Sequence, residues 1–442
     1  MIATAAEPLA PDDAARRAAR DPGLFWLSAA GRDIVGAAPV RVIPGDGPAD
    51  MERLEQAWAE ERASWGAARD DAATLGVPAG VGWLSYDFGW ALAGLPPRAG
   101  GTADGGTGWP LLEFHFYDAV WMRADTGEAT IFAKDAAAAA RLAGRLARPA
   151  TARPVALGPL QPEHADTVFL DGVRRILDYL RAGDAYQVNL ARRLSAACDP
   201  GGEAPVALAA ALRARAPAPH AALIAAADGA GWLLGNSPER FLALAGDGRV
   251  ETRPIKGTRP RHAEPGADSA AAAALAASAK DRAEHVMIVD LERNDLGRVC
   301  RTGSVEVATL ARLVSLPTVH HLESTVRGVL RPDVGLAALL AATFPGGSIT
   351  GAPKRRAMQI IDELEPVRRG PYTGTTGWLG VAGDVDLAVA IRTAAIRDGR
   401  LSLSVGGGVV ADSNPDDELA ETDVKARAFA ALCVQGAGAA EP

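Results

Sequence analysis

The sequence lacks most of the features that mark export, disulfide stapling or metal fingers. It holds three cysteines in 442 residues, Cys198, Cys300 and Cys433. Far apart and odd in number, they exclude a disulfide framework and a cysteine zinc site, and they fit a reducing cytoplasm. No stretch of about 18 strongly apolar, uncharged residues occurs, so no membrane span is expected. The first 21 residues carry acids and a proline where an export signal needs an unbroken apolar run. Basic clusters are missing too: the formal charge is −8, and Lys and Arg are scattered. Nucleic acid and anionic membranes are thereby excluded as partners, and a small molecule is expected instead. Apolar residues reach 48%, but much of that is alanine, a compositional bias without mechanism.

Residues 1 to about 22, polar and proline-containing, are expected to be loosely held. From Leu24 to about Phe132 short apolar runs alternate with Gly and Pro turns, the pattern of an antiparallel sheet. Asp50–Arg69 fits a helix with Asp50 as N-cap. Ala136–Leu160, alanine-rich and then proline-rich, reads as a helix and a linker, which divides the chain into regions 22–150 and 160–437. Beyond it, helices are expected at Ala165–Ala182, Pro205–Arg215, Ala267–Asp295, Val334–Thr343, Lys354–Leu364 and Asp416–Cys433. Strands are expected at Gln187–Leu194, Ala221–Ala226, Trp232–Asn236, Phe241–Ala245, Val250–Pro254, Gly374–Val381, Leu387–Arg397 and Leu401–Val405. Grouped strands without regular β-α-β alternation predict an α+β fold, with packed antiparallel sheets and helices on their outer faces.

Four constellations carry chemistry. Ser237-Pro238-Glu239-Arg240-Phe241 followed by Arg253-Pro254-Ile255-Lys256-Gly257-Thr258-Arg259 suits an acid and an amine facing one cavity. Such a lysine becomes a nucleophile only when burial or neighbouring cations such as Arg253 and Arg259 lower its pKa. Asp281 and Glu284 share one helical face, and Glu418, Glu421 and Lys425 share another. With oxygen donors and no cysteine, two such faces suit a hard cation, Mg²⁺ above all. Phe344–Lys354 nearly imitates a P-loop, but Ala352 stands where the lysine must be, so nucleotide binding is rejected. Gly406–Gly408 ends a strand with bare amides able to hold a carboxylate, or is a plain tight turn. His320-His321-Leu322-Glu323 has the wrong spacing for two metal ligands on a helix, which leaves a polar role for one histidine.

The ordered segments YQVNLARR, SPERF, TRPIKGTRPR, AKDRAEHVMIVDLERNDLGRV, VHHLEST, FPGGSITGAPKRRAMQIIDELE, GPYTGTTGW, IRTA, GGGVVADS and ELAETDVKA resemble the chorismate-binding family. Its members include anthranilate, aminodeoxychorismate, isochorismate and salicylate synthases. The N-terminal region is similar more loosely, through GVGWLSYDFGWALAGLP and FHFYDAVW. The resemblance implies two packed antiparallel sheets with interleaved N- and C-terminal regions. It also implies Mg²⁺ bridged by Glu284 and Glu421 to the substrate ring carboxylate, and Glu239 as general acid. Tyr372, Arg392, Lys425 and the amides of Gly406 and Gly408 would hold carboxylates, and Thr258 and His321 would line the ring pocket. Where isochorismate and salicylate synthases carry a lysine base, this chain has Gln187, which disfavours water addition. Where anthranilate synthases read PIAGT, it reads PIKGT, and Lys256 is the mark of aminodeoxychorismate synthases. The expected reaction joins chorismate and ammonia through a covalent Lys256 adduct. No nucleophile-elbow cysteine of a glutamine amidotransferase is evident, so a separate glutaminase subunit is the expected ammonia source. An anthranilate synthase large subunit and a non-catalytic relative that binds an aromatic ligand are the competing expectations. Leu24-Phe25-Trp26-Leu27-Ser28 departs from the LLES motif of tryptophan-inhibited relatives, so tryptophan inhibition is not expected.

Overall fold

The computed structural model describes residues 1–29, 31–66, 75–96, 107–150, 157–198 and 203–436. Two large antiparallel sheets dominate it, and each draws strands from both halves of the chain. The first runs Ile2–Ala5, Ala129–Ala133, Ala119–Ala124, Arg32–Gly36, Phe25–Ala29, His220–Ala225, Gly231–Ser237, Thr393–Arg397, Arg400–Val409 and Gln187–Ala197, with Gly351–Ala352 at its edge. The second runs Ile255–Pro260, Val319–Val329, Arg249–Arg253, Arg240–Leu244, Val385–Val389, Thr375–Gly380, Pro78–Leu84, Leu112–Phe116 and Arg41–Gly45. Interleaving is therefore built into backbone hydrogen bonding: Leu27 pairs with Ala222 in one sheet, and Gly82 with Gly377 in the other.

Alternating apolar residues turn one face of each sheet inward. Phe25, Trp83, Phe114, Phe116, Leu233 and Leu387 belong to one core; Leu223, Leu234, Trp121, Leu403 and Phe429 belong to another, beneath the helices of the first sheet. Buried indoles stitch elements together through their N–H groups. Trp58 Nε1 donates to the Gly380 carbonyl at 3.0 Å, and Trp65 Nε1 to the Tyr117 carbonyl at 3.2 Å. Glu55, on helix Ala49–Trp65, accepts from the amides of Leu336 and Ala337, both at 3.0 Å. It thus caps helix Leu336–Thr343 from across the molecule.

Four expectations need correction. The N-terminal residues are part of the fold: Ile2–Ala5 extends the first sheet, and helix Pro11–Ala18 buries Ala14, Ala15 and Ala18. Alanine is small enough to bring that helix close to the sheet, while Asp12–Arg16 and Asp13–Arg17 pairs keep its other face polar. The first long helix runs Ala49–Trp65, and residues 67–69 lie outside the described residues. Asp50 lies inside that helix and accepts from the amides of Asp46 and Gly47, tying down the preceding turn. Ala267–Asp295 is two helices, Pro265–Ala277 and Ala279–Gly297, because extended Ser278 breaks the run and caps the second through the Asp281 amide. Leu387–Arg397 is two strands, one in each sheet. The chain crosses over at Ala390–Arg392, with Arg392 at a left-handed φ of 48°.

Replacing Glu55 with alanine removes the side-chain cap from two helical amides. Equilibrium urea unfolding should show a loss of about 0.5–2 kcal/mol; an unchanged midpoint would show that water caps the helix equally well.

Candidate active site

A cavity of about 300 Å³ opens where strands of the two sheets approach each other. Lys256 and Thr258 enter it from strand Ile255–Pro260, and His321 from the neighbouring strand Val319–Val329. An extra residue, Gly257, bulges between Lys256 and Thr258 at φ 71°, and a Cβ there would meet Leu275 at 2.8 Å. The shifted register sets Thr258 opposite His321. Thr258 Oγ1 lies 3.0 Å from His321 Nδ1, which also faces the Gly257 carbonyl at 3.2 Å. Burial pushes His321 down to about 4, so the ring is neutral at pH 7. His321 Nε2 is buried with no hydrogen-bond partner among the described residues.

Glu239 follows strand Gly231–Ser237 and is almost fully buried. Ser348 donates to its Oε1 at 2.5 Å, and the Lys256 amine donates to the Ser348 carbonyl at 3.1 Å. One serine therefore links acid and amine. Burial raises Glu239 to about 7, against the lowering effects of Ser348, Lys256 and Arg392. Burial also lowers the Lys256 pKa, opposed by Glu284 and Glu239 and assisted by Lys425. Near neutral pH the pair thus combines an acid that still carries its proton in part with an amine that loses its proton more readily than an exposed lysine.

The cationic clamp comes from other elements. Burial lowers the pKa of Arg392, whose guanidinium makes no hydrogen bond or ion pair among the described residues. Tyr372 is buried beside it in the cavity wall. Gly406 and Gly408 stand opposite Ala191 and Asn189, whose amides are already taken by Glu365 and by the Thr350 carbonyl. These are non-hydrogen-bonded positions of the ladder, so the peptide groups of both glycines point away from that strand. On their other side, strand Thr393–Arg397 pairs no further than Leu403. Lys425 donates to the Gly406 carbonyl, left free by the ladder, at 2.7 Å and to Glu421 at 2.6 Å. At 408 a Cβ would come within 2.6 Å of Gln187 Nε2 and 3.2 Å of Lys256 Nζ, so a side chain there would push these two groups aside.

Glu284, Glu418 and Glu421 converge on one side of the cavity. Burial raises Glu284 and Glu418; Lys256 and Lys280 pull Glu284 back, while Asp281 and Glu418 push it further. The Glu284 carboxylate has no hydrogen bond or ion pair among the described residues, whereas Glu418 accepts from Ser413 at 2.6 Å. The described residues contain no ready-made group of three or more His, Cys, Asp or Glu ligands.

A family model described as chorismate binding enzyme matches residues 19–431. The chain belongs to the chorismate-binding enzyme family. It is 40% identical to an anthranilate synthase component 1 of Haloarcula marismortui over 398 residues, 83% of this chain and 76% of that one. It is 43% identical to an aminodeoxychorismate synthase component 1 of Klebsiella aerogenes over 345 residues, 77% and 74% of the two chains. The match to an aminodeoxychorismate synthase of Streptomyces griseus spans 68% of this chain but only 42% of that protein. Among solved structures, anthranilate synthase component I of Streptococcus pneumoniae superposes with a TM-score of 0.73 at 28% identity, covering 92% of both chains.

Of the family residues expected from sequence, eleven line this cavity: Glu239, Lys256, Thr258, Glu284, His321, Tyr372, Arg392, Gly406, Gly408, Glu421 and Lys425. Gln187 does not; it lies fully buried behind Gly408, its side-chain amide without a partner among the described residues. Asp281 is held by Arg259 at 2.9 Å. The double histidine is a strand feature, so the two rings face opposite ways: His321 meets Thr258, and His320 meets Ser315 and Asp268. Most of the near-P-loop segment is buried, and Lys354 at its end bonds to Asp295 at 2.6 Å. Sequence reading missed Asn189 and Ser348; the serine beside Gly346-Gly347 was the available signal.

Behind Glu239, Glu292 is buried and raised to about 8, chiefly by burial, while accepting from Thr252 at 2.7 Å. A carboxyl raised on folding favours the native state below its unfolded pKa, and that advantage is lost as pH climbs toward 8. Glu292→Gln should therefore be more stable than the parent at pH 9, by on the order of 1–2 kcal/mol, and closer to it at pH 5. Urea titrations at both pH values provide the comparison, and a pH-independent difference would contradict the assignment.

Proposed function

We propose that the chain is an aminodeoxychorismate synthase component I. The observation that carries this reading is the partly buried Lys256 amine, joined through Ser348 to a carboxylic acid raised to about 7. Lys256 attacks C2 of chorismate while Glu239 protonates the departing C4 hydroxyl; the ring double bonds shift and water leaves. Ammonia then attacks C4, the double bonds return, and the Lys256 amine is released. The product is 4-amino-4-deoxychorismate, a precursor of p-aminobenzoate and folate. Two displacements place the nitrogen on C4, whereas one would place it on C2.

Arg392, Tyr372, Lys425 and the Gly406 and Gly408 amides suit the two substrate carboxylates, since each offers a donor and none is a carboxylate. Glu284 and Glu421 suit a Mg²⁺ ion by the chemistry of their oxygens and because Glu284 has no hydrogen-bond or ion-pair partner among the described residues. When bound, such an ion would neutralise the acidic rim and hold the ring carboxylate. A glutamine amidotransferase subunit is the proposed ammonia source, and the cytoplasm the proposed compartment. No described helix is long and apolar enough to cross a membrane.

Incubated with chorismate and Mg²⁺ without ammonia, the chain should gain the mass of chorismate less one water, located at Lys256 by peptide mapping. Lys256→Ala should lose the adduct and about 10²–10⁴-fold of the aminodeoxychorismate rate. Anthranilate as the sole product of the parent chain with ammonium would sink the assignment.

Turnover should also follow a bell. Glu239 must carry its proton, so kcat/KM falls as pH rises through about 7; Lys256 must shed one, so it falls again toward acid pH. An alkaline limb that survives in residual Glu239→Gln activity would belong to another group.

A further inference from the structure

Behind Tyr372 lies a second cavity that the proposed reaction does not use. It measures about 320 Å³ and shares two side chains, Tyr372 and Ser404, with the chorismate pocket. Its mouth is at the exposed turn that carries Asp398 and Arg400. The Trp109 indole stands in its wall, with the Arg397 guanidinium 4.7 Å from the ring centre.

Four guanidiniums line this cavity, and three have carboxylate partners. Arg369 meets Glu365 at 2.7 Å, Arg397 meets Asp228 at 2.9 Å and Arg400 meets Glu163 at 3.3 Å. Arg193 has none among the described residues. Its Nε donates to Ser404 Oγ at 3.4 Å, and its other bond goes to the neutral Arg368 carbonyl. Burial pulls its pKa down, with Glu163, Glu365 and Asp87 offsetting part of the effect from beyond pairing distance. Arg397 Nε is likewise buried without an acceptor among the described residues. Asp398 is the only acid in the described lining, and it sits on the exposed rim. A partly buried cation that faces open space and neutral oxygens is stabilised by an anion entering that space.

We propose that this cavity is a second ligand site, separate from the chorismate pocket, which takes a small carboxylate anchored on Arg193 with Trp109 beside it. Tyr372 and Ser404 form a common wall, so the occupants of the two cavities press on opposite sides of the same side chains. Their affinities are then linked in both directions.

Benzoate is a suitable probe, and Trp109 a built-in reporter. Titrated into the full chain already saturated with chorismate and without ammonia, benzoate should quench tryptophan fluorescence saturably, and Trp109→Phe should remove most of that change. Arg193→Gln should weaken benzoate at least tenfold while the KM for chorismate moves less than about twofold; Arg193→Lys should recover part of the loss. Ala395→Phe, which fills the cavity from strand Thr393–Arg397, should abolish the signal without touching Arg193. Benzoate that is fully displaced by chorismate and binds the Arg193 and Ala395 variants as it binds the parent would occupy the front pocket alone, and the proposal would fall.

Discussion

The ion pair between Arg369 and Glu365 is the contact on which the cavity depends. Both side chains are almost entirely buried, and the guanidinium bonds both carboxylate oxygens at 2.7 and 2.9 Å. Its remaining donors reach the Ile349 carbonyl at 2.9 Å, the Asn189 carbonyl at 3.1 Å and Thr373 Oγ1 at 3.2 Å. Glu365 in turn accepts from the Ala191 amide. Tyr86 and Tyr372 flank the guanidinium, which stands 4.6 and 5.9 Å from their ring centres. The segment bearing Ser348, the strand opposite Gly406 and Gly408, and the turn bearing Tyr372 are thus fixed to one cation. A buried pair with every donor used is rigid, and losing one partner of such a pair costs about 3–5 kcal/mol. Rigidity here sets the position of Ser348, and through it the spacing of Glu239 and Lys256.

Burial then does electrostatic work on that fixed frame. It raises Glu239 and lowers Lys256, so each is moved toward the less charged form. Neighbouring charges oppose both shifts: Lys256 and Arg392 act on Glu239, and Glu284 and Glu239 act on Lys256. Desolvation prevails because both groups sit deep between the sheets, and the glycine at 408 leaves room for the amine there. Any side chain at that position would displace Lys256 or Gln187, which makes Gly408 as much a steric condition for the amine as a source of amide donors.

Much of this was legible in the sequence, and the reasons for the rest are physical. Alternating apolar runs announced the sheets, and motif order announced the family and eleven of its cavity residues. Nothing in local periodicity reveals that Val385–Arg397 changes sheets, because the break rests on one left-handed residue, Arg392, that is not glycine. Ser278 was hidden inside an alanine-rich run whose helical propensity masked its cap. The N-terminal helix reads as polar because its buried face is alanine, which barely registers as apolar. Arg369 looks like a surface charge in EPVRRG; only the tertiary fold brings its acceptors from residues 189 and 349.

Identity among relatives cannot choose the reaction, since an anthranilate synthase at 40% and an aminodeoxychorismate synthase component at 43% each align with about four fifths of this chain. The fold, and the acid and carboxylate-binding roles proposed for Glu239, Arg392, Tyr372 and Lys425, would serve any displacement on the same ring. What separates the outcomes is which nucleophile first reaches C2. If the site leaves C2 open to ammonia, nitrogen ends there; if a water-activating base stands near it, oxygen does. On the proposed reading the Lys256 amine would take that place, while Gln187, which cannot take a proton from water, lies behind Gly408. In the proposed reaction an enzyme-borne nitrogen at C2 would leave C4 as the carbon open to ammonia, so the regiochemistry would follow from occupancy and need no selectivity toward ammonia itself.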